Sequence, residues 1–497
     1  MNTVTPTSAH PGLRAFTGHR GPDGASPAGR SILAARRRRW TAALAVALIL
    51  PATAEDWPAL GHDNRRSHVT GDRVSVPLQV AWTRSDAPPQ TAWPGPAKWD
   101  AYAAIKDLAS MRNFDPAYFV ITVGERVWYG SSVDDSVHCL DAASGREEWV
   151  FTTEGPVRLP PAWEAGRLYV GADDGTVYCL GAAKGEPLWR YKPAEKDRLL
   201  PMDGKLVSTW PIRTGVLVRE GQVFFGASLL PWEPSYLCAL DAASGAPVYR
   251  VEHAGLTMQG PLAASTDRLF IPQGRQQPIT CELRSGRLLG AIGSSGNGGV
   301  WGILVDDSLY VHGRGQNHGS AGELRGVDGA TADVFAVFPK ARCLTATADV
   351  IYLLGDGTLT AWDRRQYLDL QRQQSAQRKV KAAAEKKLKA LGSTGDPGEI
   401  AALRAETDAA GKRQGEIAQA MPACVRWQVR TPCQHSLILT AEVLFAGGDG
   451  HVAAFAPKDG APLWEAEVDG KAYGLAAAGG RLLVSTDAGM IRCFAPR

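Results

Sequence analysis

LDAASG at Leu140–Gly145 occurs a second time, letter for letter, at Leu240–Gly245. Related forms end at Gly185 (LGAAKG), Gly286 (ELRSG) and Gly460 (FAPKDG), and a large aromatic stands four residues past the glycine in several copies: Trp149, Trp189, Tyr249 and Trp464. Ahead of each turn lies a pair of alternating apolar runs, as in GRLYVGADDGTVYCL at Gly166–Leu180. Alternation is the period of a half-buried strand, and an Asp-Gly step between two such runs marks a hairpin. Each unit therefore reads as an inner strand, a hairpin of two middle strands, a glycine turn, and an outer strand carrying the aromatic. Self-similarity at a period near ~40 residues is the mark of propellers and solenoids.

The second-strand cores begin at Val127, Leu168, Val223, Leu269, Leu309, Ile351, Val443 and Leu482, which makes eight units. The last unit stops at Ile491-Arg492-Cys493-Phe494 without an outer strand. A strand of the missing kind, PLQVAWTRS, lies at Pro77–Ser85 with Trp82 in the aromatic role. Joining the two ends in one sheet leaves no open edge, which a ring requires and a solenoid does not. The expected fold is all-β: an eight-bladed β-propeller over 55–497, closed by an N-terminal strand, with an inserted α-helical hairpin.

Two segments break the period. Ser85–Pro116 is rich in Pro and Trp, with a short helical stretch around Ala101–Leu108, and is expected to lie across one face of the ring. Between Trp362 and Trp427, in the seventh blade on this reading, the residues lose β character. Tyr367–Leu391 and Glu399–Ala420 read as helices around the turn GSTGDPG, so 364–421 is expected to be a coiled-coil-like hairpin projecting from the rim. Its basic first helix suits an acidic partner, although a solvated charged face is the commoner outcome.

Residues 1–35 have no hydrophobic period and read as disordered or as an over-extended start. Arg36–Arg39, the apolar run Trp40–Leu50 and Ala52-Thr53-Ala54 then match a secretory signal over 36–54. The run is well short of the ~20 residues that cross a bilayer, so membrane attachment is expected only through an uncleaved signal. A net charge of +3 over 497 residues points to no nucleic acid. Of the eight cysteines, Cys139, Cys179 and Cys493 fall in equivalent strand positions, with Cys238 and Cys281 one step away, which reads as buried packing thiols. A Cys343–Cys433 bridge is left open.

The YVGADDGTVYCL and LDAASGxxxW units resemble the repeats of the PQQ-binding-like β-propeller family. That family includes quinoprotein alcohol dehydrogenases and the outer-membrane barrel-assembly lipoprotein. The resemblance covers nearly all of the mature chain outside the two insertions, but the motif encodes blade packing, and fold does not give function. A dehydrogenase of this kind is expected to hold PQQ over calcium with carboxylate and amide ligands and to use an Asp base. Here there is no Cys-Cys pair, no CxxCH, no clustered histidine motif, no GxSxG and no Walker loop. The DDG and GDG turns at Asp173, Asp356 and Asp449 lack the spaced oxygen ligands of a calcium loop and read as hairpin turns. No metal site is assigned.

A ligand site, if present, belongs in the central channel where the inner strands converge. Aligning the units places Arg158, Arg213, Gln259 and Gln434 in one register near the start of the inner strand, with Arg342 and His435 one step on. Convergent guanidinium groups suit carboxylates; the plainer reading is that these residues solvate the channel mouth or bond neighbouring backbone. Gly313–Gly322, with Arg314 and His318, is a further face loop. The expected function is an exported, non-enzymatic scaffold with a protein partner and no cofactor. The alternatives are a PQQ-dependent oxidoreductase using PQQ with calcium, and a small-ligand-binding propeller without chemistry.

Overall fold

The computed structural model describes residues 55–94, 113–274, 276–293, 298–314, 323–392 and 395–497. The expected N-terminal segment 1–35, the signal at 36–54, the helical stretch at 101–108 and His318 lie outside these residues, and of Arg314 only the backbone is described.

Strands Val120–Val123, Arg126–Ser131, Ser136–Asp141 and Glu147–Thr152 pair antiparallel in chain order. The same order repeats in the sets running from Ala162–Glu164 to Pro187–Tyr191, from Leu217–Arg219 to Pro247–His253, from Ala263–Ala264 to Leu288–Ala291, from Gly302–Asp306 to Val334–Pro339, and from Cys343–Ala346 to Val425–Arg430. A seven-stranded sheet follows, in which two further sets share the long strand Pro462–Ala478. Its outer member is Leu78–Ser85, paired antiparallel with Met490–Pro496 so that Trp82 lies opposite Cys493. In most sets the ladder between third and fourth strands slips beside the turn, at Cys139/Leu140, Cys179/Leu180, Ala239/Leu240 and Ala454/Phe455. Such a bulge increases the local twist and re-aims the outer strand.

The glycine and the aromatic of the repeat meet between sets, not within one. A Cβ at Gly145 would stand 2.5 Å from the Trp82 ring, and the same near-contact joins Gly185 to Trp149 (2.5 Å), Gly245 to Trp189 (2.7 Å), Gly286 to Tyr249 (2.6 Å) and Gly460 to Trp427 (2.7 Å). Each aromatic thus lies flat on the turn of the following set. The indole N–H completes the contact by donating to a turn carbonyl: Trp82 to Ala142 (3.0 Å), Trp189 to Ala242 (3.1 Å) and Trp427 to Pro457 (3.1 Å). These glycines hold φ near +70°, so only glycine satisfies both the backbone and the ring above it.

An arm over residues 55–72, for which no strand or helix was expected, visits the sets in chain order. Trp57 exchanges N–H···O bonds with Thr122 (2.7 and 2.9 Å), and Pro58 O accepts from Trp163 N (2.8 Å). Asn64 bonds Val218 O through its amide (2.7 Å) and Ala264 N through its carbonyl (2.9 Å). Arg65 O accepts from Leu304 N, Ser67 O from the Thr345 hydroxyl, His68 O from Leu439 N, and the Asp72 carboxylate from Gly480 N. The arm thereby satisfies polar backbone along the inner edges of the sheets, which would otherwise be buried unpaired. His62, Arg66 and His68 take positive φ to make its turns.

Helices α1 (Arg364–Leu391) and α2 (Pro397–Ala420) are capped by Asp363 and Asp396, whose side chains accept from Gln366 N (3.0 Å) and Glu399 N (2.8 Å). The base of α1 is anchored by Tyr367, whose hydroxyl donates to Val337 O and whose ring meets Trp362 edge-on at 4.1 Å. The hairpin interrupts the set containing Ile351, because Ile351 pairs with Trp362 and Ala361 pairs with Trp427. That set is sixth in chain order from Val120, or seventh when the sheet holding the Trp82 strand is counted first. A two-stranded hairpin, Leu199–Met202 with Lys205–Ser208, is also added between the second and third sets.

All eight cysteines are free. The Cys343–Cys433 bridge does not form: Cys343 Sγ donates to His435 O (3.4 Å) and Cys433 Sγ to Ala446 O (3.3 Å).

Candidate functional site

Arg158, Arg213 and Gln259 come together beside Gln90, Trp93 and Asp115. Arg158 donates from Nε to Asp173 Oδ2 (2.6 Å) and from Nη1 to Asp115 Oδ2 (2.8 Å) and Gln90 O (2.7 Å). Arg213, fully buried, donates from Nε to Asp173 Oδ1 (3.1 Å) and from Nη2 to Asp173 Oδ2 (2.9 Å), with its guanidinium 5.2 Å from the Trp93 ring centre. Trp93 Nε1 in turn donates to Gln259 Oε1 (2.8 Å). Burial opposes the charge on Asp173, but Arg158 and Arg213 hold its carboxyl below the usual range. Burial pushes the Asp115 carboxyl up despite Arg158.

The carboxylates these guanidinium groups suit are supplied by the chain itself. Asp173 sits in the expected turn but points inward as the shared anion, and Trp93 and Asp115, at the two described ends of the Pro- and Trp-rich stretch, join it. A buried network of this kind is a fastening, since breaking one partner strands the others. The doubled acid in ADDG was the one sequence signal for it.

The remaining register positions lie elsewhere. Gln434 and His435 converge on Asp449, at 3.2 and 2.5 Å, and the His435 ring lies 4.6 Å from that of Tyr473. Arg342 is exposed.

A cavity of about 270 Å³ opens where the first strands of several sets meet the arm. Its walls are mostly apolar, with Phe114 and Phe119 from the stretch leading into Val120, Trp301, Leu344 and Leu437 from the sets, and Leu60 from the arm. The polar groups in the wall include Arg66, His68, His435, Ser436 and Tyr473, and no lining residue is Asp or Glu. Arg66, 4% exposed, donates from Nε to Leu262 O (2.8 Å) and from Nη1 to Leu60 O (2.9 Å). Burial lowers its pKa to about 10 and that of His68 to about 4, leaving His68 neutral at physiological pH. Sequence reasoning missed both, because they lie in a segment without period or motif.

A family model described as the outer membrane protein assembly factor BamB matches residues 117–206. Over those residues the chain is similar to the PQQ-like repeats of that family. No curated protein matches the chain in sequence. Among solved structures it is similar to quinohemoprotein alcohol dehydrogenase from Comamonas testosteroni, at 14% identity and a TM-score of 0.55, over 88% of this chain and 80% of that one. A quinohemoprotein alcohol dehydrogenase from Pseudomonas putida gives 12% identity and a TM-score of 0.54, over 89% and 80%. At such identities the likeness is one of fold. The described residues do not fit a quinone held over calcium. The cavity wall offers that ion no carboxylate, Asp115 and Asp173 are engaged by arginines, and no metal-holding group of His, Cys, Asp and Glu occurs among the described residues.

Proposed function

We propose that the chain is an exported, non-enzymatic propeller of eight blades, closed by its N-terminal strand, that acts as a protein-interaction or assembly scaffold. Closure is supported by the strand bearing Trp82, which pairs with the last strand while its ring lies on the Gly145 turn. The arm over residues 55–72, reaching each set in turn, supports the count. Export is supported by Arg36–Arg39 and the apolar run after them, and no helix among the described residues is long and apolar enough to cross a membrane.

The observation that carries the scaffold reading is α1. It bears nine Arg and Lys residues against Asp369 and Glu385 alone, and only Tyr367, Leu368, Gln371 and Ala384 are buried. A rigid scaffold presenting a charged helix this exposed is built for contact with an acidic protein surface. The test is co-purification from an envelope fraction using the full chain and a variant in which 376–416 are replaced by a short glycine turn, leaving Tyr367 and Gln371 seated. The same partner should be recovered in salt-sensitive fashion with the full chain and lost with the variant. Equal recovery refutes the reading.

A further inference from the structure

Arg66 holds an uncommon position for a guanidinium. It is nearly sealed from solvent, it donates to carbonyl oxygens, and no carboxylate lies within ion-pair distance of it among the described residues. Its third nitrogen, Nη2, has no hydrogen-bond partner among those residues, while the side chain forms part of the cavity wall. A buried cation met by carbonyl dipoles, with the Asp63 carboxylate acting on it only from beyond ion-pair distance, is incompletely compensated. The contrast with Arg158 and Arg213 is direct, since both are met by carboxylates from the chain. Arg66 and His68 are also held at φ +58°, a conformation that non-glycine residues rarely adopt and that recurs at ligand clamps.

We infer that the central cavity is a binding site for a small, singly charged carboxylate with an apolar body, its anionic group meeting Arg66 Nη2 and its body lying among Phe114, Phe119, Trp301 and Leu344. Arg66 is the only guanidinium or ammonium among the described lining residues, which sets the charge at one. His68, being neutral, adds no second positive charge. Filled at protein-like density, the space takes on the order of a dozen non-hydrogen atoms. The absence of acidic groups from the wall disfavours an amine or a metal, and the aromatic and aliphatic walls disfavour a sugar.

The probes are benzoate, its neutral isostere benzamide, and acetate, titrated calorimetrically into the purified full chain. Benzoate should bind one to one and roughly tenfold or more tighter than benzamide, the value of a charge-assisted contact in a dry site. Acetate, lacking the apolar body, should bind at least as weakly as benzamide. Phe119→Trp, which narrows the cavity without touching the arginine, should weaken benzoate and benzamide together. Arg66→Met, where it folds by circular dichroism, should abolish the preference for benzoate. Should that variant not fold, the wild-type ratio and Phe119→Trp decide the matter. Equal affinity for benzoate and benzamide, a preference that survives in folded Arg66→Met, benzoate binding indifferent to Phe119→Trp, or no benzoate uptake each overturns the assignment. None of these outcomes depends on the helical hairpin or on a protein partner.

Discussion

Replacing Gly145 by alanine isolates the contact that joins the two ends of the chain. Gly145 holds φ +69° with the Trp82 ring 2.5 Å from any added Cβ. Gly221 holds φ +73° with nothing within 4 Å. Alanine in the left-handed region costs about 1–2 kcal/mol at either site. Only at Gly145 does overpacking against the ring add about 1–3 kcal/mol. Gly145→Ala should therefore destabilise by roughly 2–5 kcal/mol and Gly221→Ala by roughly 1–2 kcal/mol, read from urea unfolding followed by far-ultraviolet circular dichroism. Trp82→Ala alone should cost about 3–5 kcal/mol, since a buried indole is lost. In that background the ring is gone, so adding Gly145→Ala should cost no more than Gly221→Ala does. A Gly145→Ala penalty equal to that at Gly221, or unchanged without Trp82, would show that the indole does not sit on this turn, and the closure argument would fall with it.

Asp173→Asn should be among the most damaging single changes in the chain, at about 3–5 kcal/mol, because it leaves Arg158 and Arg213 buried without their shared anion; a melting temperature within a degree or two of wild type would contradict this. His138 lies between Asp134 (3.0 Å) and Glu147 (2.9 Å), and although burial opposes its charge, these carboxylates raise its pKa above the ordinary imidazole value. Its folded-state pKa being raised, its contribution is complete below about pH 6.5 and is lost as pH rises through the folded value. Thermal stability from pH 6 upward should fall less in His138→Gln than in wild type. Burial pushes the thiols of Cys139, Cys238, Cys281, Cys343 and Cys493 up to about 12, so a thiol-reactive dye should label none of them at mildly alkaline pH until the protein is denatured. Adding PQQ with calcium should change neither the melting curve nor the quinone absorbance; a stoichiometric shift would restore the oxidoreductase reading.

The alternating runs and the spacing from Gly145 to Trp149, repeated down the chain, are enough to specify four-stranded antiparallel sets and the strand at Trp82 that the last set lacks. These features are legible because strand period and turn chemistry are local, and because a glycine under an indole constrains residue type on both sides of the contact. Three-dimensional folding alone decided that the arm over 55–72 runs along the inner edges of the sheets, because it is held chiefly by backbone N–H and C=O groups that every residue possesses. It alone decided that Arg158 and Arg213 bond the Asp115 and Asp173 carboxylates directly while Arg66 bonds only carbonyl oxygens. An arginine has the same letter whether a carboxylate, a carbonyl or an open cavity lies opposite, and what lies opposite is set by residues far away along the chain.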